Sequence, residues 1–198
     1  LAVKVQYPGI AKSVESDVDN VITLLTLSRL LPKDLDIKPL VNEAKAQLLA
    51  EADYLREADY LIRYKNALNG NAHFKVPNVY TSHSTQQVLT MEYVNAEPIE
   101  SITEQPQSQR SFVAEQLINL FFKEMFEFKL IQTDPNFANF HYQTKTQKIV
   151  LFDFGATREI STELSSAYLA LFKAGSDNSR EGVLKAASQI GYFKDDIM

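Results

Sequence analysis

The segment between residues 131 and 155 constrains the fold more than any other part of the chain. Asp134 is followed five positions later by Asn139, and an Asp-Phe-Gly sequence occupies residues 153–155. Two short strands are predicted between these polar residues, at Asn139–Tyr142 and Lys148–Phe152, because apolar and aromatic residues flank a polar turn. Asp134, Asn139 and Asp153 therefore place two carboxylates and one amide on either side of a single short hairpin.

The composition is that of an ordinary globular domain, and it excludes several classes of protein. The chain has 198 residues, of which 45% are hydrophobic and 23% are charged, enough for one domain with a core. A net charge of −5 argues against sequence-independent nucleic-acid binding, which needs a basic surface. The absence of cysteine excludes disulfides and thiolate chemistry. No apolar run approaches the roughly 20 residues that span a bilayer.

The spacing of apolar residues predicts a mixed α and β chain. Alternation with a period of two indicates strands, and recurrence every three to four residues indicates helices. The predicted strands are Leu1–Tyr7, His73–Tyr80 and Gln86–Val94, followed by the hairpin described above, and the predicted helices are Ile10–Leu31, Pro39–Leu68, Ser111–Leu130 and two after Thr162, separated by Gly175–Asn178. The Ser111–Leu130 helix is apolar most of the way round, which predicts a buried central helix.

The order and spacing of residues 131–155 resemble the catalytic loop and metal loop of protein kinases. Phosphoryl transfer needs a carboxylate that orients the attacking hydroxyl, and oxygen ligands that hold Mg²⁺ against the phosphates. Asp134, Asn139 and Asp153 supply those groups. Each element alone is more often a turn, so the interpretation depends on the whole set.

Two upstream segments agree with this interpretation. Ala2-Val3-Lys4 resembles the kinase strand whose lysine contacts the α- and β-phosphates and pairs with a helix glutamate. Val88–Val94 resembles the kinase hinge, in which Met91 would lie behind the adenine. Backbone groups of Glu92 and Val94 would hydrogen-bond the edge of the base. An ordinary core strand explains the same hydrophobic residues.

Four motifs together resemble the UbiB family of atypical kinases, which includes the mitochondrial ADCK proteins of coenzyme Q biosynthesis. They are Val3-Lys4-Val5-Gln6-Tyr7-Pro8-Gly9, Glu51-Ala52-Asp53-Tyr54-Leu55-Arg56-Glu57-Ala58, Gln132-Thr133-Asp134-Pro135-Asn136 and Asp153-Phe154-Gly155-Ala156-Thr157-Arg158. The resemblance implies an α+β, protein-kinase-like two-lobe fold. Residues 1–94 would form a partial small lobe with inserted long helices, and residues 95–198 a mainly helical large lobe.

The resemblance also implies a role for each residue of the site. Lys4 would pair with Glu57 in the catalytic machinery and contact the nucleotide. Asp134 would be the catalytic aspartate, and Asn139 and Asp153 would bind the metal.

An acidic pair, Glu51 and Asp53, would face the nucleotide in this family. At about 100° per residue, Asp53 and Glu57 lie about 40° apart on a helix, whereas Glu51 lies about 120° from Glu57. Either Glu51 serves another surface or the helix is broken near it. Without the family context, a solvated acidic face would explain all three residues.

The function implied by the resemblance is that of an atypical kinase or ATPase that uses ATP and Mg²⁺ and supports ubiquinone biosynthesis. Its partners would be proteins of that pathway and lipids, with peripheral membrane contact and no nucleic acid. It would act in the bacterial cytoplasm at the inner membrane, or on the matrix side of the mitochondrial inner membrane.

Two alternatives remain open at this point. A nucleotide-gated binding module would bind ATP together with lipid or protein and transfer no phosphoryl group. The second alternative is a small-molecule kinase of the aminoglycoside phosphotransferase type, but that class lacks an acidic pair like Glu51-x-Asp53. The sequence starts at Leu1 within a predicted strand, and the family's Lys-x-Gly-Gln helix and Ala-rich loop are not in it. We therefore expect a fragment with weak ATP affinity.

Overall fold

The computed structural model describes residues 1–28, 37–134 and 136–193, which form helices and short strands. The helices are α1 (Ile10–Ser28), α2 (Lys38–Glu51), α3 (Tyr54–Ala67), α4 (Gln107–Lys123), α5 (Thr162–Ser176) and α6 (Arg180–Ile190). The strands are β1 (Ala2–Val5), β2 (Phe74–Lys75), β3 (Val88–Met91), β4 (Glu97–Pro98), β5 (Leu130–Gln132), β6 (Phe140–Gln143), β7 (Lys148–Leu151) and β8 (Thr157–Glu159). Short helical turns lie at Thr81–His83, Ile99–Glu104, Glu124–Phe128 and Phe137–Asn139.

The chain divides into two compact units, each assembled from separate stretches of sequence. The first contains residues 1–101 and 134–156, and the second contains residues 102–133 and the chain after residue 156. This division differs from the predicted lobe boundary after residue 94. The reason is that the β6–β7 hairpin pairs with β2 and β4 in one sheet, which joins it to the first unit.

Two small sheets build the first unit. Strand β1 pairs antiparallel with β3, and β2, β7, β6 and β4 form a four-stranded sheet in that order. The β6–β7 pair is the predicted antiparallel hairpin, with Phe140 opposite Leu151. The large apolar side chains that are almost fully buried in this unit include Leu61, Tyr64, Leu89, Tyr142, Ile149, Val150 and Phe154.

Strand β1 is oriented with its apolar side chains outward. Leu1, Val3 and Val5 are 75%, 55% and 64% exposed. Lys4 and Gln6, on the opposite face, make the contacts with the α2–α3 region. The strand is thus held by its polar side chains and by its ladder with β3.

The predicted second helix is two helices. Helix α2 ends at Glu51 and α3 begins at Tyr54, because Asp53 between them has extended backbone with φ −101° and ψ 95°. The Asp53 carboxylate accepts hydrogen bonds from the N–H groups of Leu55 and Arg56, which makes it the N-cap of α3. Of the two alternatives for Glu51, the broken helix is correct.

Two other predicted elements differ from the structure. The predicted strand His73–Tyr80 is reduced to β2 and an isolated pairing of Val79 with Met91, because Pro77 cannot donate to a ladder. The predicted helix Ser111–Leu130 ends earlier: α4 stops at Lys123 and a turn of π-helix follows. Val113 and Leu120 are its buried residues, so the prediction of a buried central helix was wrong. The predicted end of the first helix, Leu31, lies outside the described residues.

The second unit contains the α5–α6 pair and the β5–β8 ladder. Ser165 of α5 is buried; its hydroxyl donates to the carbonyl oxygen of Met125 over 2.8 Å and accepts from Lys129 Nζ over 2.6 Å. A side-chain carbon on Gly182 of α6 would lie 2.9 Å from Cβ of Ala174, so the two helices approach closely there. Within the described part of the chain, no helix is long and apolar enough to cross a bilayer.

Candidate active site

Lys4 and Glu57 form the central ion pair of the first unit. Lys4 Nζ lies 2.9 Å from both carboxylate oxygens of Glu57, although the residues are 53 positions apart. Glu57 projects from the first turn of α3 and is 1% exposed, whereas the Lys4 side chain is 37% exposed. The structure therefore brings together the lysine and glutamate that the sequence pairs.

The same lysine also reaches the Asp-Phe-Gly segment. Lys4 Nζ lies 3.3 Å from Oδ2 of Asp153, and Oδ1 of Asp153 accepts a hydrogen bond from the Gly155 N–H over 3.0 Å. The ring of Tyr54 lies below the ammonium group, with its centroid 5.1 Å from Nζ. Lys4 is thus shared between two carboxylates and an aromatic face.

Burial and charge act together on this cluster. Burial alone would lower the pKa of Lys4, but the carboxylates of Glu57 and Asp153 outweigh it and raise the pKa above its ordinary value. Burial raises the pKa of Glu57 as well, with Lys4 opposing the shift and Asp153 adding to it. Lys4 is therefore firmly charged at neutral pH, and the buried Glu57 carboxylate depends on that charge.

Asp134 and Asn139 contact each other in the loop before β6. Nδ2 of Asn139 donates to Oδ2 of Asp134 over 3.3 Å and approaches its carbonyl oxygen at 3.4 Å. The turn is held by Asn136, whose side chain accepts from the N–H of Ala138. Because Nδ2 of Asn139 is directed at Asp134, its amide oxygen is left as the group that can bind a cation.

The hairpin brings this loop next to Asp153. Asn139 precedes β6 and Asp153 follows β7, and the two strands are antiparallel with Phe140 opposite Leu151. The N–H of Phe152 donates to the carbonyl oxygen of Asn139 over 3.3 Å. The predicted catalytic and metal residues thus lie at one end of one hairpin.

The acidic pair predicted from the family motif is divided between two environments. Glu51 ends α2, with its Cα 3.9 Å from the point where a Cβ on Gly155 would lie, and its side chain accepts from Gln47. Asp53 instead directs Oδ1 to the first turn of α3. Among the described residues, no group of three His, Asp or Glu side chains converges into a preformed metal site.

The predicted hinge segment is held by a network that the sequence did not reveal. The carboxylate of Glu92 accepts from Lys75 Nζ over 2.7 Å and from the backbone N–H of Asn78 over 3.0 Å. Burial alone would raise the pKa of Glu92, but these hydrogen bonds outweigh the effect of burial and lower that pKa. The Glu92 N–H donates to the Asn78 carbonyl, so an adenine could meet the carbonyl of Glu92 but not its N–H. Met91 and Val94 on either side are buried.

Sequence reasoning also missed two polar contacts that connect the motifs. Nη1 of Arg56 donates to the carbonyl oxygen of Gly155 over 3.3 Å, and Nε2 of Gln6 donates to the carbonyl oxygen of Ala52 over 2.6 Å. Both side chains lie inside motifs, one residue before Glu57 and two after Lys4. Their position in the motifs was the available signal, but a motif does not state which backbone group a side chain contacts.

The fold is protein-kinase-like, as predicted. A solved structure of Rv3197 from Mycobacterium tuberculosis, titled as its complex with erythromycin, matches 96% of this chain and 48% of that chain with a TM-score of 0.75. The sequences are 22% identical, so this similarity establishes the fold alone. The profile of the ABC1 atypical kinase-like domain matches residues 1–187, and the chain belongs to that family.

Similar sequences agree with the predicted UbiB family, which is thereby confirmed. The chain is 38% identical over 193 residues to a Rattus norvegicus protein named atypical kinase COQ8B, mitochondrial. It is 35% identical over 193 residues to atypical kinase COQ8, mitochondrial, of Saccharomyces cerevisiae. These alignments cover 98% of the chain but only 37% and 38% of the relatives, so the chain spans less than two-fifths of their length.

Proposed function

We propose that this domain binds ATP with Mg²⁺ and serves as an atypical kinase or ATPase that supports coenzyme Q biosynthesis. The observation that supports this most strongly is the position of Lys4 Nζ, between the buried Glu57 and Asp153 of the Asp-Phe-Gly segment. The three N–H donors of this ammonium group are directed at Glu57 Oε1, Glu57 Oε2 and Asp153 Oδ2, so a nucleotide phosphate would replace one of these acceptors. The hydrogen bond between Asp134 and Asn139, in the loop that the hairpin brings next to Asp153, supports the same proposal.

The donor set fits a magnesium ion that is bound together with a nucleotide. Asp153 offers Oδ2, and Asn139 offers an amide oxygen; hard oxygen ligands of this kind suit Mg²⁺, which keeps several ligand positions for water and phosphate. Bound there, the ion would neutralise charge on the phosphates. Asp134, hydrogen-bonded to Asn139, would orient the attacking hydroxyl or water.

The adenine would occupy the hinge side of this unit. Met91 would lie behind the base, and the Glu92 carbonyl and backbone groups of Val94 would hydrogen-bond its edge. We retain Glu51 and Asp53 as the acidic pair on the nucleotide side, with Asp53 also capping α3. The proximity of the Glu51 backbone to Gly155 of the Asp-Phe-Gly segment supports this proposal for Glu51.

The pathway and location are inferred from the relatives. Their names carry COQ8 and "mitochondrial", which favours coenzyme Q biosynthesis and the matrix side of the inner membrane over the bacterial location. Membrane contact would be peripheral, with proteins of the pathway and lipids as partners.

Thermal unfolding with and without Mg²⁺-ATP tests the binding step. At a Mg²⁺-ATP concentration high enough to offset the weak affinity expected of this chain, we expect the ligand to raise the melting temperature of the wild type. It should have no effect on Asp153→Asn, which loses the carboxylate charge of the metal site. The exposed Asp177, in the second unit, provides the matched control Asp177→Asn, which should respond as the wild type does. A full shift in Asp153→Asn would refute the metal assignment.

ATP hydrolysis, measured with and without lipid vesicles, then separates the kinase or ATPase from a binding module. Turnover that Asp134→Asn abolishes supports catalysis. Binding without turnover in both conditions supports the nucleotide-gated binding module.

A further inference from the structure

The side chain of Gln6 joins the strand that carries Lys4 to the break between α2 and α3. Its Nε2 donates to the carbonyl oxygen of Ala52 over 2.6 Å. We propose that Gln6 is a positioning residue that fixes this break, and with it Glu51, relative to Lys4. The consequence for nucleotide binding rests on the function proposed above, whereas the effect on the local backbone does not.

The carbonyl of Ala52 loses its helical donor because of how α3 begins. In a continuous helix this oxygen would accept from the N–H of Arg56, four residues later. That N–H donates instead to the side chain of Asp53, and the next helical bond runs from the Glu57 N–H to the Asp53 carbonyl. A carbonyl at a helix end without a partner is unfavourable when shielded from water, and the Gln6 amide supplies the donor.

Gln6 and Lys4 together attach β1 to the helical segment at two points. Side chains two positions apart on a strand share a face and are separated by about 7 Å. Ala52 precedes the extended Asp53, and Glu57 lies in the first turn of α3. The Gln6–Ala52 and Lys4–Glu57 contacts therefore fall on either side of the break. One contact fixes a distance, whereas two also fix the orientation of the segment.

The segment just before β3 makes backbone hydrogen bonds both with Gln6 and with the start of α3. The N–H of Gln6 donates to the carbonyl of Gln87 over 3.0 Å, and the N–H of Tyr54 donates to the carbonyl of Gln86 over 3.2 Å. The side-chain bond of Gln6 therefore closes a ring of contacts around the break. Such a ring resists displacement better than the single ion pair.

Displacement of the break between α2 and α3 would also shift the metal-loop residues Asp153 and Gly155. Glu51 lies against Gly155, whose N–H orients the Asp153 carboxylate. A misplacement of about 1 Å in such a site can cost about a hundredfold in rate. Gln6 thus acts on the nucleotide site through Ala52 and Glu51 without touching the ligand.

Three substitutions at this position separate polarity from size. Gln6→Glu keeps the shape but directs an oxygen at the Ala52 oxygen, and Gln6→Met removes the donor without adding charge. Gln6→Lys keeps a donor of sufficient length. Gln87→Glu adds the same negative charge at an exposed neighbouring position and serves as the control.

Hydrogen exchange of residues 50–58 reports the local effect in the absence of ligand. We expect exchange to be about tenfold faster in Gln6→Glu and Gln6→Met, and within about threefold of the wild type in Gln6→Lys and Gln87→Glu. Unchanged exchange in both donor-deficient variants overturns the proposal. If Gln6→Glu does not fold, Gln6→Met decides.

Affinity for ATP as a function of Mg²⁺ concentration reports the effect on the site. We expect weakening of about tenfold or more and a higher Mg²⁺ midpoint for the donor-deficient variants, with Gln6→Lys restoring both. Faster exchange with an unchanged Mg²⁺ midpoint overturns the positioning role. If the wild type binds no Mg²⁺-ATP at all, the proposed function fails, and the exchange measurement alone decides the role of Gln6 at the break.

Discussion

At the scale of single residues, Lys4 contacts three other residues of the candidate site. Its ammonium group is 2.9 Å from Glu57, 3.3 Å from Asp153 and 5.1 Å from the ring centroid of Tyr54. Glu57 is almost completely buried, so its charge is compensated within the protein rather than by water. The sequence predicted the Lys4–Glu57 pair through a family motif. It did not predict the contact with Asp153, which arises because the hairpin and the helix approach the same face of β1.

The first prediction concerns the cost of removing this cation. We expect Lys4→Met to lower the free energy of unfolding by about 2 kcal/mol, because it leaves a buried carboxylate without its partner. The loss should grow with rising pH. Burial raises the pKa of Glu57 and Lys4 opposes that rise, so removal of Lys4 raises the pKa further. The variant therefore loses more stability than the wild type as the pH rises and Glu57 ionises without a partner.

Urea unfolding at about pH 5 and about pH 8 measures this dependence. The double variant Lys4→Met/Glu57→Gln should recover part of the loss, since it removes the unpaired charge. Lys45→Met, which breaks the exposed pair with Asp19, should cost less than about 1 kcal/mol. A loss in Lys4→Met that is the same at both pH values would contradict the account of Glu57.

At the scale of elements, spacing predicted most helices and the hairpin but not the ends or breaks. The apolar positions Leu48, Leu55 and Ile62 recur every seven residues straight through the break at Asp53, so periodicity alone gave one long helix. The break depends on a side chain that captures two N–H groups, which is a local competition that periodicity does not record. Likewise, Pro77 shortens a predicted strand through one missing donor.

The hinge network gives a second prediction with its own pH dependence. Glu92→Gln should destabilise the protein by about 1 kcal/mol at neutral pH, because it removes a charged acceptor of hydrogen bonds from Lys75 and Asn78. The pKa of Glu92 is lowered in the folded state. Its contribution is therefore present above the ordinary value of 4.5 and disappears as the pH falls through the lower folded pKa.

Thermal and urea unfolding across this pH range would show the two proteins converging in stability as Glu92 becomes protonated. Glu115→Gln, at an exposed position of α4, should differ little from the wild type at any pH. A gap between Glu92→Gln and the wild type that persists in acid would show that the charge of Glu92 is not what stabilises the hinge.

The third prediction concerns the α5–α6 contact. Gly182→Ala should destabilise the protein by about 1 kcal/mol or more, because the new Cβ would lie 2.9 Å from Cβ of Ala174. This would outweigh the gain of about 1 kcal/mol that alanine brings to a helix. Gly175→Ala is the matched control, since a Cβ there would meet nothing within 4 Å and should stabilise α5. Equal stabilisation by both substitutions would mean that the helices have room to move apart.

At the scale of the whole molecule, the chain crosses between its two units three times, after residues 101, 133 and 156. Neither unit is a continuous piece of sequence. The four-stranded sheet takes β2 and β4 from the first hundred residues and β6 and β7 from the hairpin. The ring of Phe154 packs on Tyr64 of α3, with centroids 4.6 Å apart.

A truncation tests this organisation. We expect residues 1–101 alone to show helical circular dichroism without a cooperative unfolding transition, because the central strands of the sheet and Phe154 are missing. Residues 1–156 keep every segment of the first unit and should unfold cooperatively. A cooperative transition in the shorter piece would show that α1–α3 and the β1–β3 pair are stable without the hairpin.

The sequence separation of the Lys4–Asp153 contact, 149 residues, has a consequence for the order of events during synthesis. A ribosome adds on the order of 10 residues per second. Asp153 would thus be synthesised about 15 seconds after Lys4, and the long loop between the two residues must then close. A nascent chain that extends to Glu57 but not to Asp153 can pair Lys4 with Glu57, but it cannot assemble the proposed phosphate site. Nucleotide added to a translating ribosome would thus bind only chains that extend past Asp153, and a fluorescent ATP analogue could time the moment when this site forms.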